Sequence, residues 1–276
     1  MEKIDLTRAI THENYGSAEA GLHKLNNKIK KVILEEPKPF SLEQIKKGGV
    51  LNYATDKFIT LPDVSHILPL IIGLLGLLGV MLVFFANDFI WDTEGVIFVS
   101  ICVFLIIISV IYYFTKPPKE MILNRLDGLA TIPGALYQPN ITMPFKTLIF
   151  VFSTGGEDGL GAFKLEAIRP NNYTFAMFNG GYGCYHDISF YTWYMDKNRP
   201  LPPGEAFDAY REQDFERRKA EGFPKPLYPS NVPTPEATPE QQAEREEYWR
   251  EEISVENGQM IRKLIGSKFN QKIGLN

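Results

Sequence analysis

The sequence predicts a membrane-anchored α+β protein, and three observations carry that prediction. Two windows of about 20 residues, 67–87 and 95–115, hold no charged side chain. Behind them, residues 121–179 alternate short β-rich runs with Gly, Pro and Asn. On either side, residues 1–60 and 205–276 are charged and read as helical arms. Composition alone hides this division, because 276 residues with 45% hydrophobic and 22% charged side chains describe an ordinary globular chain. The formal charge of -4, from 29 basic and 33 acidic residues, excludes a generally basic nucleic-acid binder, and no nucleic-acid partner is expected.

In residues 1–60, Ser17 suits the N-cap of an amphipathic helix that ends at the Glu36-Pro37 step. Leu22, Leu25, Ile29 and Val32 or Ile33 recur on one face, and Lys24, Lys28, Lys30 and Lys31 lie on the other. Such a helix can lie on anionic headgroups, dock on the domain behind the membrane, or pair with a partner. The box Ser41-Leu42-Glu43-Gln44 opens a second short helix, stopped by Gly48-Gly49.

The windows 67–87 and 95–115 read as a transmembrane hairpin, since at helical rise each is long enough to cross a hydrocarbon core of roughly 30 Å. Neither is expected to be cleaved, because the first begins beyond residue 60 and behind a charged segment. The connection Asp88–Glu94 carries three acids, no Lys or Arg, and an interfacial Trp91. Lys46, Lys47 and Lys57 precede the first span, and Lys116, Lys119 and Arg125 follow the second, so the positive-inside rule puts both termini in the cytoplasm. Tyr112, Tyr113 and Phe114 then mark the inner interface, with Lys116 reaching toward headgroups. Gly73, Gly76 and Gly79 form a narrow groove into which either the second span or another copy of the chain can pack. Neither window holds an ionisable group of the kind a transporter, channel or proton relay needs, so the spans read as an anchor.

Residues 116–204 form the predicted cytoplasmic module. A hairpin spans Met121–Ile132 around Asp127-Gly128, and further strands are expected over Phe145–Ser153, Gly161–Arg169 and Tyr173–Asn179. A helix with Asp187 as cap fits Asp187–Asn198. Strands followed by one helix suggest a bent antiparallel sheet closed by that helix, a pleckstrin-homology-like shape. In the tail, 205–221 reads as a charged helix and 222–239 as a Pro-rich stretch that can hold neither ladder nor helix. A second charged helix then runs from Pro239 to about Val255, and Met260–Phe269 is amphipathic.

Searching for chemistry returns little. Cys184 and His186 sit in GGYGCYHD, where Gly180, Gly181 and Gly183 more simply mark a tight turn into the helix. A thiolate–imidazole pair or a metal site there would need further ligands or partners that the spacing does not supply. The glycine-rich run 153–161 lacks the Gly-Lys-Ser/Thr ending of a phosphate loop and reads as a hairpin loop. Neither a cofactor nor a metal is expected.

The order of two spans, a β-rich stretch opening with Asn124-Arg125-Leu126-Asp127-Gly128, then Trp193-Tyr194-Met195-Asp196 and Pro200-Leu201-Pro202, resembles a family of two-span bacterial inner-membrane proteins. Members of that family are often encoded beside type VI secretion spike and effector genes. The resemblance covers about residues 60–205 and implies a Gram-negative inner membrane, a pleckstrin-homology-like cytoplasmic module, and immunity to, or handling of, a secreted toxin.

The leading expectation is therefore a non-enzymatic inner-membrane protein whose cytoplasmic module binds a partner protein. Tyr182, Tyr185, Tyr191, Trp193 and Tyr194 are its candidate contact residues, as aromatics rich in interface hot spots, and a core role would suit most of them equally. Two other readings stay open. Lys116, Lys119, Arg125 and Lys146 could read anionic headgroups, or an anchored enzyme could use Cys184 and His186.

Overall fold

The structure, a computed structural model, describes residues 4–16, 28–45, 51–62, 67–85, 93–117, 119–153, 164–170, 177–181, 183, 185–230 and 232–243. These divide into two compact units. One is an α+β unit made of the residues up to Pro62, those from Glu120 to Gly134 and those from Pro139 onward. The other comprises the helical residues between Pro62 and Glu120, with Ala135–Gln138.

The α+β unit contains two antiparallel sheets. The larger has the order β2 (Tyr53–Ala54), β3 (Phe58–Pro62), β4 (Glu120–Asn124), β5 (Leu129–Ile132), β6 (Ile141–Pro144). The smaller runs β1 (Lys28–Ile29), β7 (Phe150–Ser153), β8 (Lys164–Ile168), β9 (Met177–Gly181). The Asp127-Gly128 hairpin forms as the sequence dictates. Gly128 supplies the left-handed φ of 68°, and the Asn124 and Asp127 side chains tie the turn, Asn124 Nδ2 donating to Asp127 Oδ2 at 2.7 Å. Met121, Ile122 and Leu123 of β4 are buried on both faces, which is why that strand reads as a continuous apolar run.

Three expectations are corrected within this unit. The sequence assigned 17–36 to an amphipathic helix, whereas Ile29 lies in β1, paired with Phe150, and Val32 and Ile33 are buried in extended chain. β-branched residues at 29, 32 and 33 suit extended chain; β7 supplies the backbone partner of Ile29 and the Pro229-Ser230 segment that of Ile33, so tertiary pairing overrides the helical period. Ser17, Leu22, Lys24 and Leu25 lie outside the described residues. The Ser41 box does form, with Ser41 N–H donating to Gln44 Oε1 at 2.9 Å, but it closes only a 3-10 turn over Leu42–Gln44. Finally, residues 145–148 turn the chain between β6 and β7 where one strand had been expected over 145–153.

One core links both sheets to helix α3 (Tyr185–Met195), which begins two residues before the expected cap. Asp187 sits in its first turn and accepts from Gly183 N–H at 2.7 Å. Every α3 residue from Ile188 to Met195 is buried, as a helix enclosed by sheets and tail must be. The N-terminal residues pack on both sheets: Thr11 N–H donates to Thr142 O of the edge strand β6 at 2.9 Å, and Tyr15 Oη donates to Ile168 O at the end of β8 at 2.6 Å.

The expected helix over 205–221 appears as a 3-10 turn, Glu205–Phe207, continued by α4 (Asp208–Ala220). The Pro-rich stretch is extended but not free. Leu227 and Tyr228 N–H groups donate to the Asp196 carboxylate, Asn198 Nδ2 donates to Lys225 O, and Ile33 bridges to Ser230. As far as residue 243, the tail expected as an arm is thus part of the α+β unit; the remainder, with the 260–269 segment, lies outside the described residues.

The second unit pairs α1 (Ile67–Phe85) with α2 (Thr93–Thr115). Gly73, Gly76 and Gly79 form the seam. A Cβ at Gly73 would stand 2.5 Å from Ser109 Oγ, at Gly76 2.8 Å from the Cys102 carbonyl oxygen, and at Gly79 2.6 Å from Cys102 Sγ. These glycines are therefore occupied within the chain by the neighbouring helix. Ser109 Oγ crosses the seam to donate to Pro69 O at 2.5 Å. By length and composition Thr93–Thr115 is long and apolar enough to cross a membrane, and Pro69–Val83 forms a shorter apolar stretch.

Candidate functional site

A cleft of about 230 Å³ opens in the α+β unit between the N-terminal segment, the β2–β3 turn and α4. Phe58 and Leu126 supply its apolar lining, Tyr53 and Tyr210 its phenols, and Asp5, Asp56 and Lys57 its charges. Each is held by a local device. Thr55 caps the β2–β3 turn, its Oγ1 accepting from Phe58 N–H at 2.9 Å, and this presents Asp56 and Lys57 at the tip. Tyr53 Oη accepts from Ile4 N–H at 3.3 Å, which brings Asp5 alongside.

α4 delivers Tyr210 and Gln213 because a buried charge cluster fixes that helix against the β4–β5 turn. Arg125, fully buried, donates from one terminal nitrogen to Asp214 Oδ1 at 2.5 Å and from the other to Arg199 O at 2.6 Å. Asp214 also receives Arg217 and Arg218, each at 3.0 Å, and Arg218 reaches Glu236 at 2.6 Å. Burial alone would raise the Asp214 carboxyl, but Arg125 and its neighbours override it and hold the group below its ordinary value. Asp196 goes the other way: burial raises it despite the Leu227 N–H and the Arg199 charge.

The chemistry of the cleft follows from its charges. Asp5 is held below its ordinary value by hydrogen bonds from the Thr7 hydroxyl and backbone N–H, and it stays ionised. Tyr210 is raised by burial, then by Tyr53 and Asp56, and it stays a phenol. Lys57 lies 3.9 Å from Asp5 and 4.9 Å over the Phe58 ring. Two carboxylates, two phenols and an aromatic ring against one ammonium make a site suited to a cationic or N–H-donating group.

The residues singled out in sequence lie elsewhere. Tyr191, Trp193 and Tyr194 are buried core residues: the Tyr191 hydroxyl donates to Gly180 O, Trp193 Nε1 to Pro200 O at 2.8 Å, and Tyr194 Oη to Thr55 O at 3.1 Å. They build the module and offer no contact surface, because the helix that carries them is enclosed. Tyr185 is half-buried against the Phe152 ring, and Tyr182 lies outside the described residues. Arg125, expected at a membrane interface, is withdrawn into the ion cluster. Cys184 is outside the described residues, and His186 Nδ1 instead faces Glu35 Oε1 at 2.6 Å. Trp91 is also outside them, while Tyr112, Tyr113, Lys116 and Lys119 cluster at the end of α2 and beyond. Lys146 is exposed, as a headgroup contact requires.

The cleft residues were missed because four segments far apart in the chain supply them. Only the Asp56-Lys57 turn between two apolar runs was a readable signal. Among the described residues, no three His, Cys, Asp or Glu side chains are grouped so as to hold a metal. Comparison of the chain with family models, with curated proteins and with solved structures returns no significant match.

Proposed function

We propose that this chain is a two-span protein of a bacterial inner membrane whose cytoplasmic module binds a partner protein. The observation that carries the reading is the insertion of the α1–α2 pair into the β3–β4 hairpin. Pro62 and Glu120 are register partners, so the chain leaves and re-enters one sheet at one place. Outside their glycine seam the two helices expose Leu74, Leu75, Leu78, Leu82, Phe104 and Ile111, a surface larger than water tolerates and suited to lipid. Basic residues flank the ends of the pair, and Asp88, Asp92 and Glu94 lie at its connection, which supports cytoplasmic ends.

The pleckstrin-homology-like reading of the module is supported by two antiparallel sheets followed by a helix that closes the core. The cleft between Tyr53 and Tyr210 is its partner-binding surface, and the chemistry there selects a basic or amide-rich contact. A type VI effector or accessory component as that partner rests on the resemblance of the 60–205 segment. Anionic-lipid sensing by Lys116, Lys119 and Lys146 is the second reading, and the burial of Arg125 weakens it by one charge.

Expressing the tagged full chain in a Gram-negative host, washing the membranes with carbonate and identifying what co-purifies in mild detergent tests both parts. The reading expects retention in the membrane and a stoichiometric protein that Asp56→Lys releases. Release into the carbonate supernatant would sink the anchor; lipid alone would sink the partner.

A further inference from the structure

We infer that the turn Ala135–Gln138, which joins β5 to β6, is a membrane-interface wedge that inserts Leu136 and Tyr137 among lipid headgroups beside the end of α2. This rests on the membrane reading above and adds a second point at which the chain enters the lipid layer. Four residues of a sheet connection belong to the helical unit and not to the sheet unit that flanks them. Their contacts explain why. The Tyr137 ring meets the Tyr112 ring edge-on, with centroids 5.4 Å apart, and the Tyr137 hydroxyl lies 2.6 Å from Thr115 Oγ1 on the last residue of α2. Lys119 Nζ donates to Gln138 O at 3.0 Å, and Gln138 N–H closes the turn on Ala135 O at 2.8 Å.

The turn is thus pinned to the level where the apolar helix gives way to its first charge, Lys116. At that level its large side chains keep about half of their surface exposed. Leu136 is 49% exposed and Tyr137 57%, next to Tyr113 at 48% and Phe114 at 80%. Leu136 also holds a left-handed φ of 47°, a conformation that a Leu adopts only at a cost. Packing inside the protein does not fully repay that cost, because Leu136 stays 49% exposed. Burial in an interface does, and an aromatic–aliphatic collar with Lys116 and Lys119 beside it is the composition that interfacial layers select. The chemistry recognised is a phospholipid surface, with the two ammonium groups favouring anionic headgroups.

The experiment places single cysteines at Leu136, at Leu75 on the lipid-facing side of α1 and at Lys225, in a full-length chain with Cys102→Ala and Cys184→Ser. Each is labelled with an environment-sensitive fluorophore and reconstituted into phosphatidylcholine–phosphatidylglycerol vesicles carrying spin-labelled lipid, with the quencher either near the headgroup or deep in the acyl chain. The inference expects position 136 to lose emission to the shallow quencher, position 75 to the deep one, and position 225 to neither. Position 136 unquenched with 75 quenched would overturn the wedge and leave the anchor standing. Neither position quenched would overturn the anchor and the wedge with it. A second variant, Leu136→Asn, suits the left-handed backbone and removes the apolar side chain, so a label at Tyr137→Cys in that background is expected to lose its shallow quenching while Trp193 fluorescence stays folded. Unchanged quenching there would contradict a role for Leu136.

Discussion

Pro62 and Glu120 face each other as register partners at the ends of β3 and β4, although residues 63–119 intervene between them. The α1–α2 pair is therefore inserted in the chain between two paired strands, whose ladder runs Phe58–Pro62 against Glu120–Asn124. A long insertion at such a point costs little in loop-closure entropy once its own ends are held together by helix packing. This arrangement lets one sheet be built from residues on both sides of an apolar segment. It also forces both ends of that segment to the same side of any bilayer it crosses.

The glycine seam is specific to side chains at one position and to backbone at another. Gly73→Ala drives a methyl into Ser109 Oγ and is expected to destabilise the helix pair by about 1–3 kcal/mol. Ser109→Gly in the same chain removes the obstacle and is expected to restore most of that loss. Gly76→Ala meets the Cys102 carbonyl, which no side-chain trimming relieves, so Ser109→Gly leaves it unrescued. Denaturation of the helix pair in detergent micelles, followed by far-UV circular dichroism, reads all four variants.

Removing one partner of the buried Arg125–Asp214 pair strands a charge. Asp214→Ala is expected to cost about 3–5 kcal/mol, since Arg125 and Arg218 both lose their carboxylate. Because the Asp214 carboxyl is held below 3.8, its contribution is complete above that pH and is lost as pH falls through the lower folded value. Urea midpoints read from Trp193 fluorescence are expected to drop on acidification below that pH in the parent chain, and to drop less in Asp214→Ala.

Lys31 supplies a second pH dependence of the same sign, in the alkaline range. Its ammonium, buried over the Phe145 and Phe150 rings, donates to Leu148 O at 2.6 Å, and burial pushes its pKa down to about 8 from 10.5. Between those two values the unfolded chain holds a proton that the folded chain has released, so the Lys31 contribution to stability rises with pH across that window. The parent chain is expected to gain stability relative to Lys31→Met from pH 8 to 10.5, measured as the difference in urea midpoint. A flat difference would contradict the burial of a titrating ammonium.

The cleft predicts a charge dependence of partner binding. Asp56→Lys reverses a rim charge at an exposed turn, and Tyr210→Phe removes a phenol without emptying the space. Both are expected to leave the unfolding free energy within about 0.5 kcal/mol of the parent, read from urea denaturation. Asp56→Lys is expected to abolish co-purification of the partner and Tyr210→Phe to weaken it, measured by quantitative mass spectrometry.

What could be read from the sequence was local. The Asp127-Gly128 turn, the apolar windows, the helix over Asp187–Asn198 and the Ser41 box all announce themselves within a few residues and form at or near the expected places. What could not be read was pairing at a distance. Ile29, Val32 and Ile33 satisfy a helical period as well as a strand, and only pairing with β7 at Ile29 and with Pro229-Ser230 at Ile33 decides between them. Tyr191, Trp193 and Tyr194 have the composition of a hot spot, and only the sheets around α3 show that they are core. The cleft needed Asp5, Tyr53, Asp56 and Tyr210 to meet, and no spacing in the sequence encodes that.

An apolar helix pair that crosses a membrane from an insertion in one sheet places its connection on the far side from the sheet. Single cysteines at Thr7, at Lys225 and at Asp92 in the 88–94 connection, in a chain lacking Cys102 and Cys184, can be probed with a membrane-impermeant maleimide in spheroplasts and in inverted vesicles. Asp92→Cys is expected to be modified in spheroplasts alone, and the Thr7→Cys and Lys225→Cys reporters in inverted vesicles alone. Modification of all three from the same side would contradict it.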